Sequence, residues 1–125
     1  MGSRPLSAVR SRRLHELSIA ESVVRIASRQ ADGRRVTKVQ MKVGHLRQVV
    51  PSALAFGFVL LAEGTSVEGA ELEMEQVPAE GRCRMCGAES RLGGFPLQCG
   101  GCGSFDLEIL KGEELLVESL ELEEA

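Results

Sequence analysis

Four cysteines form two identical pairs in the second half of the chain. Cys83 and Cys86 make one C-x-x-C motif, and Cys99 and Cys102 make a second one after twelve intervening residues. Two residues between cysteines place both sulfurs on one side of a tight turn, and two such turns can supply the four soft ligands of a tetrahedral Zn²⁺ site. Because a closed four-sulfur site has no open coordination position, we expect this zinc to be structural.

Two other interpretations of the cysteine pairs remain open. Two disulfides would need an oxidising compartment. The sequence shows no apolar signal segment ahead of the domain, so we expect a cytoplasmic protein and disfavour disulfides. A redox-active C-x-x-C would need only one of the two pairs. Structural zinc is therefore the favoured interpretation.

The composition limits the partners that the protein can have. The chain of 125 residues is 43% hydrophobic and contains four Phe but no Trp or Tyr, which predicts a mainly aliphatic core. It has no run of about 18 apolar residues, so we expect no membrane span. The net charge is −3, although residues 1–13 carry four arginines and no acid. The acidic remainder is not attracted to phosphate backbones, so we expect no nucleic-acid partner.

The first helix is predicted to begin at Ser18, which forms a capping box with Glu21. Apolar residues then recur at the spacing of one buried helix face, and Gly33 is predicted to end the helix. His15 and Glu16 are expected just ahead of this helix, on backbone that is not yet helical. Residues 1–13 show no periodicity and are predicted to form a disordered extension.

Three strands and a second helix complete the predicted α/β part. Alternation of apolar and polar residues predicts strands that end at Gly44, cover residues 70–75 and span Leu115–Leu122. Pro51 is predicted to open the second helix, which runs to about Glu63. The predicted fold class is α+β, with two helices on one face of a small three-stranded sheet and an inserted zinc-ribbon subdomain that holds the four cysteines.

This pattern predicts the domain organisation. Residues 14–78 together with residues 107–125 are expected to form the α/β domain. Residues 79–106 are expected to form the zinc ribbon. Residues 1–13 are expected to lie outside both.

Four segments of the chain resemble one known family. Leu-His-Glu-Leu-Ser-Ile-Ala at residues 14–20 is similar to the opening of the HypA/HybF hydrogenase maturation proteins, which begin Met-His-Glu. Residues 35–44 resemble the first strand of that family, and residues 52–58 resemble its second helix. The two cysteine pairs fall where the family has its zinc insert. The resemblance covers residues 14–125.

The resemblance implies a nickel metallochaperone that is not itself an enzyme. Such proteins hold Ni²⁺ and help to insert it into the large subunit of [NiFe]-hydrogenase. They work with the GTPase HypB, and in some organisms they also serve urease maturation. The resemblance therefore implies two metals, a structural Zn²⁺ and a Ni²⁺ that is passed on as cargo.

By this resemblance the nickel ligands lie at the start of the matching region. Ni²⁺ favours square-planar nitrogen coordination, and a histidine second from a free amino terminus offers imidazole, amide and amine nitrogens in small chelate rings. His15 would then give its imidazole and its backbone nitrogen. Glu16 would give a backbone nitrogen or an outer-shell hydrogen bond, and Leu14 would give a backbone nitrogen, which is an amine only if the chain starts there.

The sequence departs from the family at this position. Leu14 stands where the family has its first methionine, and thirteen residues precede it. Because leucine codons can serve as alternative starts, we hypothesise that the cellular protein begins at residue 14. The mass of the intact native protein tests this, since a mass that includes residues 1–13 would refute it.

An alternative function is a zinc-ribbon module that binds nucleic acid or protein. The predicted ribbon has three arginines and three acids, and therefore lacks the basic stripe that nucleic-acid ribbons need; these residues are Arg82, Arg84 and Arg91, and Glu80, Glu89 and Asp106. His45, the only other histidine, is predicted to be a surface turn residue and not a metal ligand.

Overall fold

The computed structural model describes residues 6–124, with side chains described for residues 15–124. This part of the chain contains two α-helices, one short 3-10 helix and six strands. Their bounds are α1 (Leu6–Ala31), β1 (Val36–Gly44), η1 (His45–Arg47), α2 (Pro51–Ala62), β2 (Glu71–Val77), β3 (Glu80–Cys83), β4 (Glu89–Arg91), β5 (Leu107–Lys111) and β6 (Leu115–Leu122). No helix within this part is long and apolar enough to cross a membrane.

Helix α1 starts twelve residues earlier than its predicted capping box. It runs without a break from Leu6 to Ala31, so the predicted start at Ser18 is wrong and His15 and Glu16 are helical. The reason is that residues 6–31 contain no glycine or proline, and a capping-box pattern inside a helical sequence does not end the helix before it. Residues 6–13 belong to this helix, whereas residues 1–5 lie outside the described residues, and the predicted extension over residues 1–13 stays a prediction.

The two helices pack closely against one another through their small residues. Gly57 of α2 lies against α1, where a Cβ atom would come within 3.1 Å of Leu17 Cδ2 and 3.4 Å of Ala20 Cβ. The buried face of α1 carries aliphatic residues at helical spacing. It consists of Ile19, Ala20, Val23, Val24, Ala27 and Ala31, and α2 buries Leu54, Gly57, Phe58 and Ala62.

The first sheet has the strand order β2-β1-β6. Its core face includes Val39, Met41 and Val43 of β1, all of which are at most 2% exposed. On the opposite face, Lys38 lies 3.9 Å, 3.5 Å and 3.4 Å from carboxylate oxygens of Glu71, Glu73 and Glu121. The predicted α+β class, with two helices and a three-stranded sheet, is confirmed.

The second sheet contains three short antiparallel strands in the order β4-β3-β5. β3 pairs with β4 through Gly81 and Ser90, and with β5 through Cys83 and Leu107. This sheet carries the cysteines, as the predicted zinc-ribbon insert requires. The pairing places Leu107–Lys111 in the cysteine sheet.

The chain divides into two compact units. The first contains the described residues up to Gln40, Val49–Glu73 and the residues from Val117 onward; the second contains Met41–Gln48 and Met74–Leu116. The second unit has a tight backbone contact at Gly44, whose amide donates to Glu114 O at 2.7 Å. A Cβ atom on Gly44 would overlap the carbonyl group of Gly112, so this position requires glycine. The domain boundaries given by the sequence stay a prediction.

Candidate metal centres

The four cysteine sulfurs meet in one cluster. All four Sγ atoms lie within 4.8 Å of one another. Cys83 Sγ is 3.5 Å from Cys102 Sγ, and Cys86 Sγ is 3.7 Å from Cys99 Sγ. A tetrahedral Zn²⁺ with bonds of about 2.3 Å to sulfur would need sulfur–sulfur distances of about 3.8 Å. The cluster therefore has the size of a four-sulfur metal site.

Two equivalent turns bring the sulfurs together. Cys83 ends β3, and the Gly87 amide donates to Cys83 O at 2.8 Å to close the first turn; the Gly103 amide donates to Cys99 O at 3.0 Å to close the second. Both glycines have left-handed backbone, with φ of 77° at Gly87 and 80° at Gly103. Glycine adopts this conformation without the cost that a Cβ atom would bring.

The turns also direct amides at the first cysteine of each pair. The Cys86 amide donates to Cys83 Sγ at 3.4 Å, and the amides of Gly101 and Cys102 donate to Cys99 Sγ at 3.3 Å and 3.5 Å. Cys83 and Cys99 are buried, whereas Cys86 and Cys102 are exposed. The sulfurs farther from water thus receive the backbone donors that stabilise negative charge.

These donors set the charge state of the cluster. The amides of Cys102 and Gly101 lower the pKa of the Cys99 thiol to about 6, which favours its thiolate. The Ser104 amide acts in the same direction on Cys102, but the neighbouring sulfurs, together with partial desolvation of its sulfur, outweigh it and raise the pKa of Cys102 to about 12. Four thiolates this close repel one another, so a bound cation is needed to keep all of them ionised.

The donor set therefore fits a soft divalent metal such as zinc. The four cysteines are free thiols, and their sulfurs are much farther apart than the roughly 2.05 Å of a disulfide bond. Among the described residues they are the only group of three or more side chains that could hold a metal ion. The chain has a four-cysteine metal site.

The charged side chains around the cluster pair with one another. Arg82 contacts Glu89 at 3.1 Å and Glu108 at 3.0 Å. Arg84 contacts Asp106 at 2.9 Å. Two of the three ribbon arginines are therefore neutralised locally, which argues against a basic stripe for nucleic acid.

The residues predicted to hold nickel lie in α1. His15 is exposed, whereas Glu16 is buried with 2% of its surface accessible. In the described part of the chain, His15 belongs to no group of three or more metal-ligand side chains. Leu14 belongs to the same helix, and its side chain lies outside the described ones. The site thus offers one imidazole, and further ligands would have to come from the backbone.

The sequence did not predict what the Glu16 side chain does. Its Oε2 accepts a hydrogen bond of 3.2 Å from the amide of Val50, the residue that precedes α2. A signal for this contact exists in the sequence, because Val50 and Pro51 supply no side-chain oxygen to cap the helix start. An acceptor from another element was therefore needed.

His45 lies apart from the cysteine cluster, in η1. It is exposed and lines a cleft of about 350 Å³ with Leu46, Gln48, Leu92 and Phe95 among other residues. None of the other lining residues is a cysteine, acid or histidine. This agrees with its interpretation as a surface turn residue.

Comparison with known proteins gives a family match over most of the chain. Residues 14–122 match the family described as "Hydrogenase/urease nickel incorporation, metallochaperone, hypA". A hydrogenase maturation factor HypA from Geotalea uraniireducens is 46% identical over 110 residues, which cover 88% of this chain and 100% of the relative. A HypA from a Nostoc species is 40% identical over 111 residues, which cover 89% of this chain and 97% of the relative.

Two solved structures share the fold. A solution structure of a HypA protein has a TM-score of 0.64 at 22% identity and covers 87% of this chain and 96% of its own. The solution structure of the nickel metallochaperone HypA from Helicobacter pylori has a TM-score of 0.62 at 21% identity and covers 86% of this chain and 96% of its own.

Proposed function

The chain belongs to the HypA family of nickel metallochaperones for hydrogenase maturation, which are not enzymes, and we propose that it carries Ni²⁺ at the start of the matched region while Zn²⁺ occupies the four-cysteine site. The main observation that supports the nickel proposal is that the imidazole of His15 is exposed, one residue after the family match begins. The family is one of hydrogenase and urease nickel incorporation, so its partners belong to a maturation machinery.

Zinc is the proposed resident ion of the cysteine site. Zn²⁺ is redox-inert, and with four thiolate ligands it closes its coordination shell and links β3 to the second cysteine turn. Cys83, Cys86, Cys99 and Cys102 would hold it. The sulfur spacing and the amide donors to Cys83 and Cys99 support this assignment.

The proposed nickel ligands are the imidazole and amide nitrogens of His15, with Glu16 and Leu14 contributing backbone nitrogens. In a helix that begins at Leu6, the amides of residues 15 and 16 donate to carbonyls four residues earlier. In a chain that begins at residue 14, the same amides would be among the first four of the helix, which have no acceptor within it. The full nitrogen ligand set therefore requires that residue 14 comes first.

The proposed partners follow from the delivery of a bound ion. We propose that a GTPase of the HypB type and the large subunit of [NiFe]-hydrogenase receive or handle the nickel, and that urease maturation proteins are a further destination. The family match to hydrogenase and urease nickel incorporation supports this proposal. Exposed nitrogen ligands suit a cargo ion, because they are open to ligands from a receiving protein.

The test is a nickel titration of two forms of the protein. One is the full chain, and the other lacks residues 1–13 and has methionine in place of Leu14. We expect the shortened form to bind one Ni²⁺, and the full chain to bind it about tenfold or more weakly, since losing the amine nitrogen costs more than about 1.4 kcal/mol. A His15→Ala variant of the shortened form should bind no nickel at this site, and His45→Ala is the matched control that should bind normally.

Zinc is measured in the same samples. Equal zinc content in all four proteins would show that the fold of the cysteine site is unchanged. Nickel binding that survives His15→Ala, or that disappears with His45→Ala, would contradict the site assignment. Nickel binding by neither form would contradict the carrier function.

A further inference from the structure

Glu16 is a charged residue at a core position of α1. It is 2% exposed and lies on the same helix face as Ile19, Ala20 and Val23, which are 8%, 0% and 4% exposed. Among the described residues, it is the only polar or charged one that is buried to this degree. A buried carboxylate is costly unless something compensates its charge.

The start of α2 supplies this compensation. The Val50 amide donates to Glu16 Oε2 at 3.2 Å, and α2 has no acidic residue in its first turn. The amino end of a helix carries partial positive charge and unpaired amides, so a carboxylate placed there is favourable. Glu16 thus does for α2 what a capping side chain of its own would do.

From this contact we infer that Glu16 is a positioning residue, which ties the nickel-binding segment to the amino end of α2. The inference rests on the proposed function, because it concerns the peptide that nickel would use. His15 and Glu16 share one peptide unit, with the imidazole on the exposed side and the carboxylate on the buried side. A metal that binds the backbone nitrogens of this segment therefore acts on the same peptide that α2 restrains.

The Glu16 carboxylate is only half satisfied. Its second oxygen, Oε1, is buried and accepts no hydrogen bond from the protein. A small movement that gave Oε1 a donor would be favourable, so the contact with Val50 can respond to a change at His15. We expect nickel binding to change the strength of the Val50 contact, and by thermodynamic linkage loss of the contact then changes nickel affinity by the same factor.

Amide hydrogen exchange at Val50, measured by NMR on the full chain and on the shortened form, tests the contact. In Glu16→Ala we expect the Val50 amide to exchange about tenfold to a hundredfold faster, because a hydrogen bond to a charged group is lost. In Glu16→Gln the amide oxygen can still accept, so the rate should stay close to that of the parent protein. Glu21→Ala is the matched control, since Glu21 is an exposed acid of the same helix.

Nickel provides the readout that a purely structural role would not change. In the form that binds nickel, adding Ni²⁺ should alter the Val50 exchange rate by about threefold or more, and Glu16→Ala should remove this response and change nickel affinity by the same factor. Glu16→Gln should restore both. If Glu16→Ala does not fold, the Glu16→Gln variant and the nickel response of the parent protein decide the question.

Two results would overturn the inference. One is an unchanged Val50 exchange rate in Glu16→Ala. The other is normal nickel binding by the parent protein with no response at Val50. If the parent protein takes up no nickel, the carrier function fails, whereas the exchange rate in Glu16→Ala still shows whether the contact restrains α2.

Discussion

The unit that contains both helices and the segment that carries the cysteines differ in what fills their interiors. The helical unit buries a continuous aliphatic set around Phe58 and Leu54. Between residues 79 and 111, the buried nonpolar side chains are only Ala79, Cys83, Leu92 and Cys99, and two of these four are cysteines. The first region can fold by hydrophobic burial, whereas the second needs a metal ion to complete its core.

The same contrast separates the two proposed metal sites. The four sulfurs lie within 4.8 Å of one another on two turns, and two of their separations, 3.5 Å and 3.7 Å, are close to those of a tetrahedral site. His15 is a single exposed side chain on a helix. The proposed zinc site at the four cysteines thus forms as the protein folds. The proposed nickel site at His15 must assemble from backbone nitrogens when the ion binds.

The largest expected effect is that of removing zinc from the cysteine sheet. Binding of a structural Zn²⁺ contributes about 10–16 kcal/mol in small zinc domains. We expect a chelator, or Cys83→Ala, to unfold β3, β4 and β5 while α1 and α2 remain folded. Amide NMR signals check this, since those of the cysteine sheet should collapse into the unfolded range. A cysteine sheet that stays ordered without metal would contradict the claim that this region needs a metal ion to fold.

A second prediction concerns the aliphatic core of the helical unit. Phe58→Ala should lower the free energy of unfolding of the helical unit by about 3–5 kcal/mol, because it leaves a cavity in the aliphatic core. Phe56→Ala is the matched control on the same helix, since Phe56 is 65% exposed, and should change stability by less than about 0.5 kcal/mol. Denaturant unfolding measures both. Equal effects of the two variants would contradict the packing described for α2.

A third prediction concerns the acid sensitivity of the zinc site. Zinc binds thiolates, so each cysteine that is protonated at the working pH must release a proton when the metal binds. Two backbone amides hold the pKa of Cys99 at about 6 in the folded turn, but Cys99 loses them if the cysteine sheet unfolds without metal. Its thiol must then release a proton when zinc binds, as the other three do, and zinc affinity should fall as pH falls.

Calorimetric titrations in buffers of different ionisation enthalpy count the released protons. Cysteine thiols in an unfolded segment have pKa values of about 8.5, so the count should be close to four at pH 5 and only slightly lower at pH 7.5. A count lower by about one at pH 7.5 would show that Cys99 keeps its two amide donors and its pKa of about 6 without metal, which would contradict the unfolding of the metal-free cysteine sheet.

The smallest expected effect is at Lys38, on the polar face of the first sheet. Glu121 foremost, with Glu73 and Glu71, raises the pKa of Lys38. A hydrogen bond from Gln40, together with Lys38, lowers the pKa of Glu73 below its ordinary 4.5. A group with a lowered pKa stabilises the fold above its ordinary pKa and loses this effect as pH falls through the folded value. Lys38→Met should therefore destabilise slightly at pH 7, and less as pH falls below about 4 or salt rises.

Denaturant midpoints at pH 7 and pH 3.5 check this prediction. A large loss of stability in Lys38→Met that persists at low pH would mean that Lys38 contributes by packing and not by charge.

The sequence predicted the elements whose signals are local. The C-x-x-C spacing with its glycines, the alternation through Val39–Val43 and the Pro51 helix start all depend on near neighbours, and the structure contains each of them. The start of α1 was missed because the Ser18–Glu21 pattern also fits inside a helix when no breaker precedes it.

Contacts between distant residues could not be predicted in the same way. The pairing of β5 with β3 joins segments more than twenty residues apart, such as Cys83 and Leu107. The burial of Glu16 depends on Val50, 34 residues later, because the carboxylate and the uncapped helix start compensate one another only when the helices pack. The uncapped start of α2 indicates in the sequence that an acceptor is missing there, but nothing in the sequence identifies Glu16 as that acceptor.

The most direct test of the two-site account counts both metals in the same sample. Protein that begins at residue 14, loaded with both ions and desalted, should contain one zinc and one nickel per chain. His15→Ala should lose the nickel and keep the zinc, and Cys99→Ala should lose the zinc. A protein that keeps its zinc but holds no nickel, or that keeps its nickel in His15→Ala, would contradict the account.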